Sequence, residues 1–172
     1  DIDYQKMVIN EGIDLFKDIL GYPPNFFVPT NGPFNLSLEK TLADKGIKYL
    51  LLDKFQKEPL GEGKFTRHLH YSGKRNRYGQ IYMTRNAVFE PTQFNDRDNV
   101  DHCLEDIALA FRLNKPAVVS THRLNYIGAL NEKNATVGLL ELSRLLKTIL
   151  KKWPNVEFIT SVELGDIMSK RV

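Results

Sequence analysis

The residues with usable chemistry cluster in a few short stretches of the chain. His122 and Arg123 follow the apolar run Ala117-Val118-Val119-Ser120, and Asp53 follows the apolar run Ile47 to Leu52. Asn31 follows Phe26-Phe27-Val28, with Gly32-Pro33 behind it as a turn. In α/β folds, ligands bind beyond the carboxyl ends of parallel strands. Asn31, Asp53, His122 and Arg123 are therefore the candidates for one functional face. A histidine at a strand end can titrate near neutral pH and serve as general acid or base. It can equally be a hydrogen-bonded strand terminus. Asp53 either orients a neighbouring His or Arg, or caps a turn.

A second group lies between residues 64 and 90. Arg85, Asn86 and Glu90 are candidates for binding sugar hydroxyls or a carboxylate, with a salt bridge of Arg85 to Glu90 or Asp53 as the alternative. Tyr82 joins them as an aromatic face able to stack on a sugar ring, alongside Tyr71, Tyr78 and Phe89. His68 and His70 form a His-x-His pair whose rings share a face in a strand. They either share a metal ion or are exposed hairpin residues.

Composition narrows the classes. The chain has 172 residues, 42% hydrophobic and 26% charged, as expected of a globular domain with its own core. No apolar run is long enough for a membrane span. The acidic start Asp1-Ile2-Asp3 is unlike the basic beginning of a secretory signal. The single cysteine, Cys103, excludes an internal disulfide framework and reads as a small buried hydrophobe. The net charge is +3, yet residues 64–85 hold Lys64, Arg67, Lys74, Arg75, Arg77 and Arg85 with no acidic residue, so the rest of the chain is net acidic. Basicity this local argues against a nucleic-acid partner.

The elements that must position these residues follow from periodicity. Tyr4, Met7, Val8, Leu15, Phe16, Ile19 and Leu20 predict a helix over 4–20, stopped by Gly21 and Pro23-Pro24. Phe26 to Val28 predicts a buried strand, 36–45 a helix closed by Gly46, and Ile47 to Leu52 a second strand. Alternation over 65–71 and again over 81–89 predicts an antiparallel pair, an inserted hairpin at about 65–90. A helix over 98–113, capped by Asp98, presents Val100, Cys103, Leu104, Ile107, Ala108 and Phe111 to the core. Ala117 to Ser120 is the next strand, and 123–135 a polar loop. A helix over 136–153 is expected to turn Leu139, Leu142, Leu146, Ile149, Leu150 and Trp153 inward. Val156 to Ile159 closes the series as a strand, and Ser161 caps a final helix. Strands alternating with amphipathic helices predict parallel βαβ units. The expected fold is α/β, a single domain over 1–172: a partial (β/α) barrel or open sheet of about four parallel strands flanked by helices, plus the hairpin. Asn35-Leu36-Ser37 and Asn134-Ala135-Thr136 match a glycosylation sequon, and helix capping accounts for them equally well.

Several of these segments together resemble the polysaccharide deacetylases, the NodB-like family. "AVVSTHRLNYIG" is similar to the family's strand-plus-histidine motif, and "TVGLLELSRLLKTILKKWPNVEFITSVELGDIM" resembles its closing helix, strand and ending. "EGIDLFKDILGYPPNFFVPTNGPFN" and "LADKGIKYLLLDKFQ" resemble the helix, turn and strand motifs upstream. The resemblance implies a distorted (β/α) barrel, the C-terminal portion of which this chain would supply, and a hydrolase that deacetylates a polysaccharide or amino sugar. It implies a divalent metal, zinc foremost, held by one Asp and two His, an aspartate base matched by Asp53, and an acid matched by His122. The family's Asp-Asp and His-x-x-x-His motifs do not occur in these residues, and Phe27 and Thr30 stand where its arginine and aromatic do. The metal ligands, and with them the N-terminal remainder of the domain, are thus expected to precede Asp1, and the present residues alone to be inactive. The implied partner is a polysaccharide or oligosaccharide, in a secreted or cell-envelope setting. Two other functions remain: a glycoside hydrolase of the related barrel superfamily using Asp53 and Glu90, and a non-catalytic carbohydrate-binding or assembly module contacting its partner through the hairpin.

Overall fold

The computed structural model describes residues 1–94, 96–129 and 131–170. The described residues form a mixed α/β structure with five α-helices, and the chain divides into two compact units. Unit 1 comprises residues 1–84 together with the C-terminal residues from 159 onward, and unit 2 comprises residues 85–158.

In unit 1, α1 (Ile2–Leu20) is capped by Asp1 and ends at Gly21, whose φ of 78° lies in the left-handed region that favours glycine. β1 (Phe26–Phe27), β2 (Tyr49–Leu52) and β5 (Ile81–Thr84) form a parallel sheet in the order β1-β2-β5. All four residues of β2 and of β5 are buried, the pattern of parallel strands covered on both faces. A 3-10 turn (Leu36–Leu38) leads into α2 (Glu39–Asp44), and Phe34, Leu38, Leu42, Ile47, Leu50, Leu52 and Tyr82 form the core. Asn35 caps that turn through the Ser37 N–H, so one sequon does serve as a cap. β3 (Phe55–Gly61) and β4 (Lys64–Leu69) make an antiparallel hairpin. The C-terminal α5 (Ser161–Ser169) returns to this unit: Tyr49 donates its hydroxyl proton to Asp166, and the Tyr49 ring lies against Gly165, where a side chain would collide with it.

In unit 2, β6 (Ala87–Val88) and β7 (Val119–Ser120) pair in parallel, and α3 (Asn99–Arg112) and α4 (Glu132–Lys152) pack beside them. The core comprises Ala87, Phe89, Val100, Cys103, Leu104, Ile107, Leu145 and Ile149, with Phe111 set edge-on to Trp153. Burial pushes the Cys103 thiol up to about 12, so it is an inert core group.

Several expectations are corrected. The hairpin does not span 65–90. It spans Phe55–Leu69, and the strand expected to close it, Ile81–Thr84, pairs in parallel with β2 instead. Alternation of side-chain type over 81–84 suggested a half-exposed ribbon, but Tyr82 and Thr84 are as buried as Ile81 and Met83. Val156–Ile159 is not a strand; Val156 packs on the unit 2 core, and Phe158 and Ile159 are exposed. Parallel strands number three in unit 1 and two in unit 2, and no closed barrel forms among the described residues. α1 packs through Ile2, Ile9 and Ile13, leaving Tyr4, Met7, Val8, Leu15, Ile19 and Leu20 exposed. α4 begins at Glu132, inside the expected loop (whose Leu130 lies outside the described residues), and exposes Leu139, Leu146 and Leu150 while burying Leu145 and Ile149. Each helix carries apolar residues on more than one face, so spacing alone does not choose the packed one. The final helix is capped by Thr160, which exchanges hydrogen bonds with Glu163 in a capping box, and not by Ser161.

Candidate functional site

β6 and β7 run side by side, so the residues after them emerge at the same carboxyl edge of unit 2. After β6 come Phe89 and Glu90; after β7 come Thr121 and His122. His122 Nδ1 lies 2.6 Å from Glu90 Oε1. Against a carboxylate, Nδ1 carries the proton and donates, which leaves Nε2 with the free lone pair. Exposure divides the pair: Glu90 is 5% exposed, whereas the His122 side chain is 67% exposed. The carboxylate orients the ring from below, and the ring presents its second nitrogen outward.

A fully buried amide fixes the carboxylate. Asn125 Nδ2 donates to Glu90 Oε2 at 2.6 Å and to the His122 carbonyl at 2.8 Å. Asn125 Oδ1 accepts from the Thr92 N–H at 3.1 Å and the Thr92 hydroxyl at 2.7 Å. These four bonds assign the amide's O and N without ambiguity and tie the loop after Glu90 to the 3-10 turn Arg123–Asn125. Thr121 and Tyr126 hydroxyls meet at 2.6 Å beside it. The turn is pressed onto α4 at Gly138, where an added Cβ would lie 1.7 Å from the Asn125 carbonyl oxygen. Both Glu90 oxygens are occupied and the residue is buried, so it holds His122 rather than touching a substrate, in contrast to the binding role expected of it.

The other candidates of unit 2 are placed less tellingly. Asn86 was expected to bind substrate. Its Nδ2 donates to the Pro116 carbonyl at 2.9 Å and its Oδ1 accepts from the Val118 N–H at 2.7 Å, so the side chain clamps the start of β6 to the segment before β7. Arg85 is exposed and reaches the Ser120 hydroxyl at 3.5 Å; no ion pair to Glu90 forms. Arg123 is exposed at the start of the 3-10 turn, next to His122.

In unit 1, Asn31 and Asp53 follow β1 and β2, again at a carboxyl edge. Asn31 (φ 57°) and Gly32 (φ 90°) turn the chain there, and the Asp53 carboxylate fills the space that a Gly32 side chain would need, 2.6 Å from its Cβ position. Gly32 is required on both counts. Asn31 and Asp53 are both exposed. Tyr82 was expected to offer a stacking face, but it is 4% exposed and donates its hydroxyl proton to the buried Glu39. Burial raises the Glu39 carboxyl and pushes the Tyr82 phenol far above its ordinary range. Its ring packs on His70, centroids 4.1 Å apart. His70 is 2% exposed with neither ring nitrogen hydrogen-bonded, while His68 pairs with Glu58 at 2.7 Å. The His-x-His pair is thus split between two environments.

Among the described residues, no three His, Cys, Asp or Glu side chains converge in a way that would hold a metal ion. No helix among them is long and apolar enough to cross a membrane. Comparison with known proteins finds no matching family model and no matching curated protein.

Sequence reasoning found His122 and Glu90 but not their linkage, and it missed Asn125, Thr92 and Gly138. The signal available was slight: Asn125 falls three residues after His122, the spacing of one 3-10 turn.

Proposed function

We propose that the carboxyl edge of β6 and β7 is the acid–base centre of a carbohydrate-directed hydrolase, one that removes acetyl groups from a polysaccharide or amino sugar on a scaffold resembling part of the deacetylase barrel. The observation that supports this is the buried carboxylate behind an exposed imidazole, Glu90 behind His122 at 2.6 Å. A histidine held this way has one orientation, and its outward Nε2, which carries a proton only when the ring is doubly protonated, can then hand that proton to a departing amine or alcohol and return to the neutral form. Glu90 orients the ring for that transfer, and Asn125 keeps Glu90 from turning toward solvent.

The resemblance also implies a divalent cation, whose chemistry would be to polarise the acyl carbonyl and acidify a water. The described residues do not furnish its ligand set, and no step is assigned to it. The glycoside hydrolase alternative is disfavoured by Glu90, since neither of its oxygens is free to face a glycosidic bond.

The test is acetate release from N-acetylated chitin oligomers and O-acetylated xylan by the chain together with any residues that precede Asp1 in its protein, with and without added zinc. Release that is lost in His122→Ala supports the proposal. No release from either substrate, or release that survives His122→Ala, overturns it.

A further inference from the structure

We propose that the outward face of the β3–β4 hairpin docks onto an anionic phospholipid surface, a property independent of the hydrolase reading. The ribbon is inverted relative to one that packs its apolar side inward. Gln56, Glu58, Thr66 and His68 occupy its sheltered face: Gln56 donates to the Phe34 carbonyl, and Glu58 accepts from the Leu36 N–H and holds His68. The outward face carries three cross-strand pairs, Phe55–Leu69, Lys57–Arg67 and Pro59–Phe65, all exposed.

At the centre of that face, two cations stand directly opposite each other, an arrangement that destabilises an antiparallel pair. Lys57 Nζ and the Arg67 guanidinium both lie over the Phe65 ring, at 5.1 and 5.7 Å. Neither has a carboxylate partner among the described residues; the nearby ion pair, Lys64–Glu62 at 3.6 Å, sits at the turn. An anion above Lys57 and Arg67 offsets their repulsion, and the described residues supply none.

The chemistry of the face selects the anion's source. Its polar groups are donors only, since no carboxylate, amide or hydroxyl side chain belongs to the three pairs. Sugar hydroxyls need acceptors as well as donors, whereas lipid phosphates are acceptors only. A single strand of nucleic acid needs open aromatic planes on which to stack bases. Here both exposed rings of the face are attended by cations, Phe65 by Lys57 and Arg67 and Phe55 by Lys54 at 5.8 Å, and Leu69 and Pro59 offer no aromatic plane. Exposed Phe and Leu side chains flanking Lys and Arg match the headgroup boundary of a bilayer, where the cations meet phosphates and the apolar groups enter the acyl region.

The experiment is co-sedimentation of the full chain with vesicles of phosphatidylcholine alone and of phosphatidylcholine with phosphatidylglycerol. Sedimentation is expected only with the anionic vesicles, to weaken with salt, and to persist in excess inorganic phosphate. Each basic residue near such a surface contributes about fivefold in affinity, so K57Q/R67Q is expected to bind about 25-fold more weakly. That variant removes a repulsive pair and should melt no lower than the parent. A second readout does not depend on losing binding: Phe65→Trp should become quenchable by brominated acyl chains beyond the background of Trp153. Unaltered vesicle binding by K57Q/R67Q, equal binding to neutral vesicles, or tighter binding to single-stranded DNA or an acidic polysaccharide than to anionic vesicles overturns the proposal.

Discussion

Gly138 of α4 lies directly beneath the backbone carbonyl of Asn125, so close that a methyl group at position 138 would stand 1.7 Å from that oxygen. The partner is backbone, not the end of a flexible side chain, so the contact cannot be relieved by a rotamer change. Alanine normally favours a helix interior over glycine by about 1 kcal/mol. Here Gly138→Ala is expected to reverse that and destabilise the protein by about 3 kcal/mol, because helix and turn must separate. Denaturant unfolding of the variant measures it, and a variant as stable as the parent would show that the turn is not pressed onto α4.

Removing the proposed proton donor should be far more costly to turnover than to folding. His122→Ala strips one oxygen of the buried Glu90 of its partner and is expected to cost about 1–3 kcal/mol in stability, while lowering acetate release by about 10²–10⁴-fold. Glu90→Gln keeps the shape but not the charge behind the ring. It should lower kcat by at least about tenfold with KM little changed, since in the proposed mechanism the carboxylate acts through His122. Steady-state kinetics on an acetylated oligosaccharide separates the two effects.

Asn125 carries a structural cost of a different kind. Its amide satisfies the buried Glu90 carboxylate and the Thr92 N–H together. Asn125→Ala leaves Glu90 Oε2 and the Thr92 N–H without these partners, and a loss of about 2–3 kcal/mol is expected. Thermal melts monitored by Trp153, which packs on the same core, provide the check.

Acid should weaken unit 1 through His70. Burial is the main cause that pushes this imidazole down to about 4, with Lys74 and His68 adding to it. An unfolded chain binds the proton near the ordinary value of about 6.5. The folded pKa is the lower of the two, so between them the unfolded state holds more protons and stability rises with pH. The contribution is fully present above about pH 6.5 and is lost as pH falls toward 4, by up to about 3 kcal/mol. His70→Leu should flatten that dependence, raising the melting temperature more at pH 5 than at pH 8. An equal shift at both would exclude protonation of His70 as the cause.

Local rules carried part of this structure into the sequence. An apolar run ending in Thr121-His122 places the histidine beyond the strand whatever the neighbours do, and that position stands. Asp98 as a cap and Gly21 as a stop are equally local, and both are found. The losses share a physical origin in long-range packing. Whether Ile81–Thr84 pairs with β4 or with β2 depends on which strand is nearby in space, and its alternating polar and apolar side chains are all buried once it joins the parallel sheet. α1 turns Ile2, Ile9 and Ile13 inward because those side chains meet the core beneath α2, a choice invisible in its own periodicity. Asn125 reads as an unremarkable loop residue until Glu90 and Thr92 arrive beside it from far along the chain.

Unit 1 is written in two pieces: its sheet and hairpin come early, and the helix carrying Gly165 and Asp166 comes only after all of unit 2. During synthesis from the N-terminus, the uninterrupted stretch from Arg85 to Phe158 can gather its core as soon as it leaves the ribosome. The earlier segment must wait, its Tyr49 ring and hydroxyl uncovered, until the last helix emerges.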